Sequence, residues 1–256
     1  MTTSSRGVPL ASQQPTVEPH AEATASRWKG LYNVAGVAAL ITVAVIPMAV
    51  AVYILWPPPA WSAGAAGDWF TLFGSNWLLG LLHLDLLVMM GLVLSVPILL
   101  ALYVALRRTG ESAMIIATTV ALVGVVLHLA SNTAFEMYAL SNGYAAANTD
   151  AERALFLAAG EATLAAYHGS AFHVSYILGY IAKIIVGAVM LRSVAFSKAT
   201  AYLAILIGAV GFGLYLPTIG MFLSILAVLL IAVWHVLIAR TFFRLARTRW
   251  GQLAKE

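Results

Sequence analysis

Polar residues in this chain are gathered into a few short connectors, and between them run apolar stretches of about twenty residues or more. At a rise of 1.5 Å per residue such stretches match the roughly 30 Å hydrocarbon core of a bilayer. They predict helices over 31–56, 77–106, 113–140, 161–191, 201–216 and 219–238. Short alternating strands, the mark of a membrane barrel, are missing from the pattern. The expected fold is therefore all-α, a polytopic transmembrane helix bundle of about six spans. Only Pro217 and Thr218 separate the last two, and Gly208, Gly211 and Gly213 interrupt the fifth, so a single bent segment is the alternative.

Composition agrees with that solvent. The 256 residues are 62% hydrophobic and 9% charged, with a mean hydropathy of +0.91, which excludes an ordinary soluble globule. Without cysteine there is no disulfide framework, thiolate metal site, iron–sulfur cluster or cysteine nucleophile. The net charge of +4 marks topology rather than nucleic-acid binding. Under the six-span reading all of the 14 Lys and Arg residues except Arg153 and Lys183 fall on one side, which the positive-inside rule makes cytoplasmic. Both termini are expected there, in a bacterial cytoplasmic membrane. Residues 1–29, rich in Ser, Thr, Ala, Pro and Gln, read as a disordered tail and not a signal peptide, 30–240 as the transmembrane domain, and 241–256 as a basic tail drawn to anionic lipid. Two outer loops remain. One carries Pro57–Pro59, Trp61, Trp69 and Phe70 and suits the interface. In the other, Thr149 or Asp150 can cap a helix leading into the fourth span.

The stretch from Tyr144 through Ala-Ala-Ala-Asn-Thr-Asp-Ala-Glu to Arg153, the Gly160-Glu161-Ala162 run, and Met190-Leu191-Arg192-Ser193 with the glycine-bearing helix after it resemble a bacterial family of six-helix integral membrane proteins catalogued as a domain of unknown function. The resemblance implies the architecture; it brings no activity and no site residue.

Ionisable groups inside spans cost on the order of 2.5–3.5 kcal/mol at the bilayer centre, so they are functional candidates. Counting helical rise from the cytoplasmic Arg landmarks places Asp85 and His83 on the second span, His128, Asn132 and Glu136 on the third, and His173, His168 and Glu161 on the fourth in one layer near the extracytoplasmic edge. His128, Asn132 and Glu136, spaced i, i+4, i+8, are expected to form one helical stripe. Interhelical hydrogen bonding, worth roughly 0.6–2 kcal/mol per pair, explains one such residue more easily than three. His128, Asn132, Glu136, His168 and Asp85 are the candidate catalytic groups.

Two chemistries fit these types. His83, His128, Glu136 and His173 can ligate zinc or another divalent metal that activates water. Alternatively a carboxyl whose apolar site favours its protonated form can do metal-free proton transfer with His, as membrane cyclases and isomerases of isoprenoids require. The leading expectation is an enzyme acting on a lipid or isoprenoid-like substrate reached through the outer leaflet. The alternatives are a proton- or ion-coupled small-molecule carrier, a haem-binding electron-transfer protein using pairs such as His83 with His168, and a sensor or scaffold. The expected partners are the bilayer and a hydrophobic small molecule, with no nucleic acid; the oligomeric state stays open. Lys183 is expected to snorkel toward the cytoplasm, and His235 to be structural near the inner interface.

Overall fold

The computed structural model describes the backbone of residues 19–247, and side chains from Trp28 onward with the exception of Met221. Every regular element among the described residues is helical: α1 (Pro19–Leu55), α2 (Ala66–Ser75), α3 (Trp77–His83), α4 (Leu86–Ser131), α5 (Ala134–Ala146), α6 (Asp150–Tyr167), α7 (Ser170–Met190), α8 (Lys198–Gly211) with a 3-10 turn (Phe212–Tyr215), and α9 (Gly220–Arg247). Five helical stretches are long and apolar enough to cross a membrane: Trp28–Leu55, Leu86–Ala146, Asp150–Met190, Lys198–Tyr215 and Phe222–Arg247. The protein is a multi-pass membrane protein.

Helix α4 is a hairpin. A straight helix of its 46 residues would be about 69 Å long. Its ends nevertheless meet, because the Asn132 side-chain amide just past its C-terminus donates to the carbonyl of Leu84 just before its N-terminus, at 2.6 Å. The reversal falls at Gly110, whose backbone (φ −167°, ψ 77°) is extended. The returning rod runs antiparallel to α7. A Cβ at Gly110 would touch Val189 Cγ1 at 3.5 Å, whereas one at Gly124 would stand 3.1 Å from the Ser175 carbonyl oxygen. Only a glycine admits α7 that closely at 124.

Three of the expected spans are broken at one level. The second breaks at Leu84 and Asp85, the third at Asn132 and Thr133, and the fourth at His168 and Gly169. Inside the breaks lies a bundle of α1, α4, α7, α8 and α9, packed around residues such as Leu102, Met114, Met190, Ile207, Trp234 and Phe242. Outside them α2, α3, α5 and α6 form a cap around Trp69, Phe70, Phe73, Leu84, Met137 and Tyr167. The cap is tightly joined. A Cβ at Gly160 would stand 2.7 Å from Phe70 Cζ, and the Glu161 carboxylate accepts the Ala66 N–H at 2.8 Å, so α6 caps the start of α2. Of the two expected caps, Thr149 is the one that caps α6, and with Glu152 it makes a capping box there.

The fifth expected span is α8 followed by the 3-10 turn, and the sixth is α9; they are separate elements, with Thr218 in the left-handed region (φ 71°) at the corner. Helix α1 begins at Pro19, within the expected N-terminal tail of residues 1–29; residues 1–18 lie outside the described part. The basic C-terminal segment continues α9 as far as Arg247, and 248–256 lie outside the described residues.

Candidate functional site

The breaks bring polar groups together because a helix that stops inside apolar surroundings must satisfy its free N–H and C=O groups locally. Asn132 does so twice, donating to the Leu84 carbonyl and accepting the Ala134 N–H at 3.1 Å. Tyr53, near the end of α1, donates its hydroxyl to the His83 carbonyl at 2.8 Å. Asp85 lies between these bonds in the left-handed backbone region (φ 64°, ψ 24°), at the N-cap of α4 yet making no cap bond with its side chain. A non-glycine residue there stores strain, of order 1–3 kcal/mol. Its carboxylate is turned instead toward other elements. Tyr167, the last residue of α6, donates a short hydrogen bond to Oδ2, and the Tyr53 hydroxyl also lies in hydrogen-bonding reach.

Burial pushes the Asp85 carboxyl above the usual carboxylate range, and the hydrogen bond from Tyr167, with the Tyr53 hydroxyl close by, pulls it partly back. Burial likewise lowers the neighbouring His83 imidazole, which is fully enclosed and T-shaped against Tyr53 at 5.1 Å. Neither His83 ring nitrogen has a hydrogen bond of normal geometry, and the Trp56 main chain is the polar group that faces the ring.

Aromatic rings surround this carboxyl. Trp61, from the loop before α2, stacks on Tyr167 at 5.3 Å and 10° and meets His168 edge-on at 4.5 Å. Phe172 and Tyr176 follow one turn apart on α7 at 4.8 Å. Below them His128 is buried between Phe172 and Tyr176, with Nδ1 at 3.2 Å from Ser175 Oγ. The Ser175 hydroxyl donates to the Phe172 carbonyl at 2.6 Å, so its oxygen accepts from His128 Nδ1–H and Nε2 is left with its lone pair.

The expected residues divide accordingly. Asp85, His83, Asn132, His128 and His168 belong to this layer. The expected continuous stripe does not form: α4 ends at Ser131, Asn132 turns extended (φ −72°, ψ 128°), and Glu136 restarts on α5 with its side chain exposed. Glu136 thereby leaves the company of His128. His173 is exposed on α7, its ring against Phe172 and Tyr215, and Glu161 caps α2. Among the described residues no group of three or more His, Asp or Glu is placed to hold a metal ion, so His83, His128, Glu136 and His173 do not converge as a ligand set. The rings of His83, His128, His168 and His173 each lie against Tyr, Trp or Phe. Lys183 does not snorkel as expected. Its Nζ lies over the Trp234 ring, 3.7 Å from the centroid, where a cation gains from the π face.

Tyr53, Tyr167 and Tyr176 were not singled out in the sequence. The available signal was cap chemistry inside apolar runs: Asn132-Thr133 and His168-Gly169-Ser170 are helix-stop and helix-start combinations, and Tyr167 adjoins one of them. No protein-family model, curated protein or solved structure matches this chain.

Proposed function

We propose that the chain crosses the bacterial cytoplasmic membrane six times, with both termini in the cytoplasm, and belongs with the six-helix bacterial family its sequence resembles. On this reading α4 contributes two crossings joined at Gly110, and α1, α7, α8 with its 3-10 turn, and α9 contribute one each. The cap then faces the extracytoplasmic side. The positive-inside distribution and the hairpin geometry of α4 support this arrangement.

The layer beneath the cap is read as the site of an enzyme that performs metal-free proton transfer on a lipid or isoprenoid-like substrate. One observation carries the reading: Asp85, in a strained backbone conformation, presents its carboxyl to the Tyr167 and Tyr53 hydroxyls instead of capping its own helix. A carboxyl kept protonated by apolar surroundings is a general acid near neutral pH, and the conjugate carboxylate takes the proton back. Tyr167 and Tyr53 orient it. His128, with Nδ1 held by Ser175, offers a lone pair on Nε2 as the base. The Tyr167, Trp61, Phe172 and Tyr176 faces can stabilise positive charge that develops on a hydrocarbon substrate. The scattered carboxylates and imidazoles favour this version over metal-assisted chemistry.

The test is lipid mass spectrometry of membranes from cells producing the wild type, Asp85→Asn or Tyr167→Phe. A lipid or isoprenoid species altered by the wild type is expected to be unaltered with Asp85→Asn and partly altered with Tyr167→Phe. Identical profiles for wild type and Asp85→Asn would sink the assignment.

A proton-coupled carrier is the second reading. Tyr176, Tyr180 and Lys183 continue inward along α7 at helical spacing, with the Tyr176 and Tyr180 rings 5.9 Å apart. Solute uptake into vesicles that follows an imposed pH gradient would favour it.

A further inference from the structure

The end of α8, the 3-10 turn after it and the start of α9 border an open groove of about 410 Å³, lined by Ala209, Val210, Phe212, Gly213, Leu216 and Leu223. No lining side chain is polar. The volume falls within the roughly 300–1,000 Å³ of small-molecule sites. In the orientation proposed above, the groove opens to the outer leaflet.

One wall of it leads to Asp85. Phe212 packs on Tyr180 with ring centroids 5.5 Å apart, Tyr180 on Tyr176 at 5.9 Å, and Tyr176 on Phe172 at 4.8 Å. Phe172 in turn lies 6.1 Å from Tyr167, which donates to Asp85. Phe172, Tyr176 and Tyr180, spaced i, i+4, i+8, form one stripe about 12 Å long on α7. A Cβ at Gly211 would overlap the Tyr180 ring, so bare backbone at that position lets α8 bring Phe212 against the stripe. The three stripe rings keep partial exposure and Phe212 is exposed, so the row is a surface along which a ligand can lie.

Charge narrows what that ligand is. Among the described residues 56–85, 132–182 and 205–239, Arg153 is the only Lys or Arg, and it is held in the cap by Asp150 at 3.8 Å and the Ala147 carbonyl at 3.4 Å. Lys183, three residues inward of Tyr180, is turned onto the Trp234 ring. Phosphates are held chiefly by Arg and Lys, so neither the groove nor the Asp85 layer is equipped for a phosphorylated head group.

We infer that the groove holds the tail of an uncharged, isoprenoid-like chain whose other end runs along the Phe212–Tyr180–Tyr176–Phe172 row to Asp85. The inference rests on the enzymatic reading of Asp85 and narrows its substrate to a neutral molecule. A second copy of this protein is the competing occupant. Continuity of the groove with a row that ends at a buried carboxyl favours a flexible chain over a second helix.

The test is photolabelling of the full-length protein in phosphatidylcholine nanodiscs with a diazirine-bearing farnesol analogue, the labelled residues being mapped by mass spectrometry. Label is expected in the groove and on the α7 stripe, with competition by farnesol and none by farnesyl diphosphate at the same concentration. Ala209→Trp, which sets an indole into the groove from an exposed position, is expected to lower labelling about tenfold, while Asp85→Asn leaves it unchanged. Label spread evenly over the lipid-facing surface, equal competition by the diphosphate, or full labelling of Ala209→Trp overturns the inference. A wild-type dimer that Ala209→Trp makes monomeric also overturns it, because a second copy then fills the groove. Should Ala209→Trp fail to fold, Leu216→Trp, from another exposed position, takes its place. The lipid profile of Asp85→Asn separates the two readings. Groove labelling with an unchanged profile rejects catalysis by Asp85 and keeps the site, whereas a changed profile without groove labelling rejects the site alone.

Discussion

Asn132 Nδ2 donates to the Leu84 carbonyl at 2.6 Å, and this bond joins two helix breaks that are 48 positions apart in the chain. Its oxygen at the same time accepts the Ala134 N–H, so one side chain closes the end of α4 and starts α5. Replacing it with alanine would orphan a carbonyl and an N–H in partly buried positions. Asn132→Ala is expected to cost about 1–3 kcal/mol and to loosen the cap. Denaturant unfolding in detergent, with limited proteolysis at the breaks, measures both effects; an unchanged midpoint and digestion pattern would show that the bond holds nothing.

Asp85 predicts a pH dependence whose sign can be worked out. Its folded-state pKa is raised above the free carboxyl value, mainly by burial. In the window between those two values the folded state binds more protons than the unfolded one, so stability falls as pH rises through it. Below the window, with Asp85 protonated in both states, this contribution is at its most favourable. Asp85→Asn, permanently neutral, is expected to remove that component of a Tm-against-pH curve and, above the window, to match or exceed the wild type. Infrared spectra should show a protonated carboxyl band that persists above the free-carboxyl pKa in the wild type and is lost in the variant. Its absence from the wild type would contradict a proton-holding Asp85.

Gly124 faces the Ser175 carbonyl oxygen, which a Cβ would approach to 3.1 Å. Gly124→Leu should force α4 and α7 apart at a cost of about 1–3 kcal/mol and pull His128 from Ser175. A lower Tm, together with loss of whatever lipid change the wild type produces, is the expected pair of results. Wild-type values for both would mean that the two helices are less closely coupled than their spacing indicates.

The absence of native cysteine makes topology directly measurable. Single substitutions Glu152→Cys in the cap and Glu111→Cys beside the Gly110 reversal are expected to react with a membrane-impermeant thiol reagent from opposite sides of the membrane, Glu152→Cys from outside. Labelling of both from one side would reject the six-crossing arrangement.

The apolar runs by themselves determined that this is an all-helical membrane protein. They also determined which stretches are apolar enough to cross, because hydrocarbon leaves the backbone few alternatives and length sets the span. The level of the polar layer was legible too, since helical rise converts residue number into depth: Asp85, Asn132 and His168 all lie at the breaks. Hydropathy could not locate the breaks themselves. Leu84-Asp85 and Asn132-Thr133 interrupt helices through backbone dihedrals and cap bonds, and averaged apolarity hardly changes there. The expected His128–Asn132–Glu136 stripe failed for that reason, and the same breaks set α3, α5 and α6 apart as a cap at the ends of the expected second, third and fourth spans. Tertiary packing decided the rest. Tyr167 and Tyr53 reach Asp85 from elements 82 and 32 positions away, as 167 − 85 and 85 − 53 give. Lys183 meets Trp234 across the bundle, its ammonium 3.7 Å over the indole centroid. Such long-range pairings depend on how the helices turn against one another, and no local pattern in a single chain encodes that.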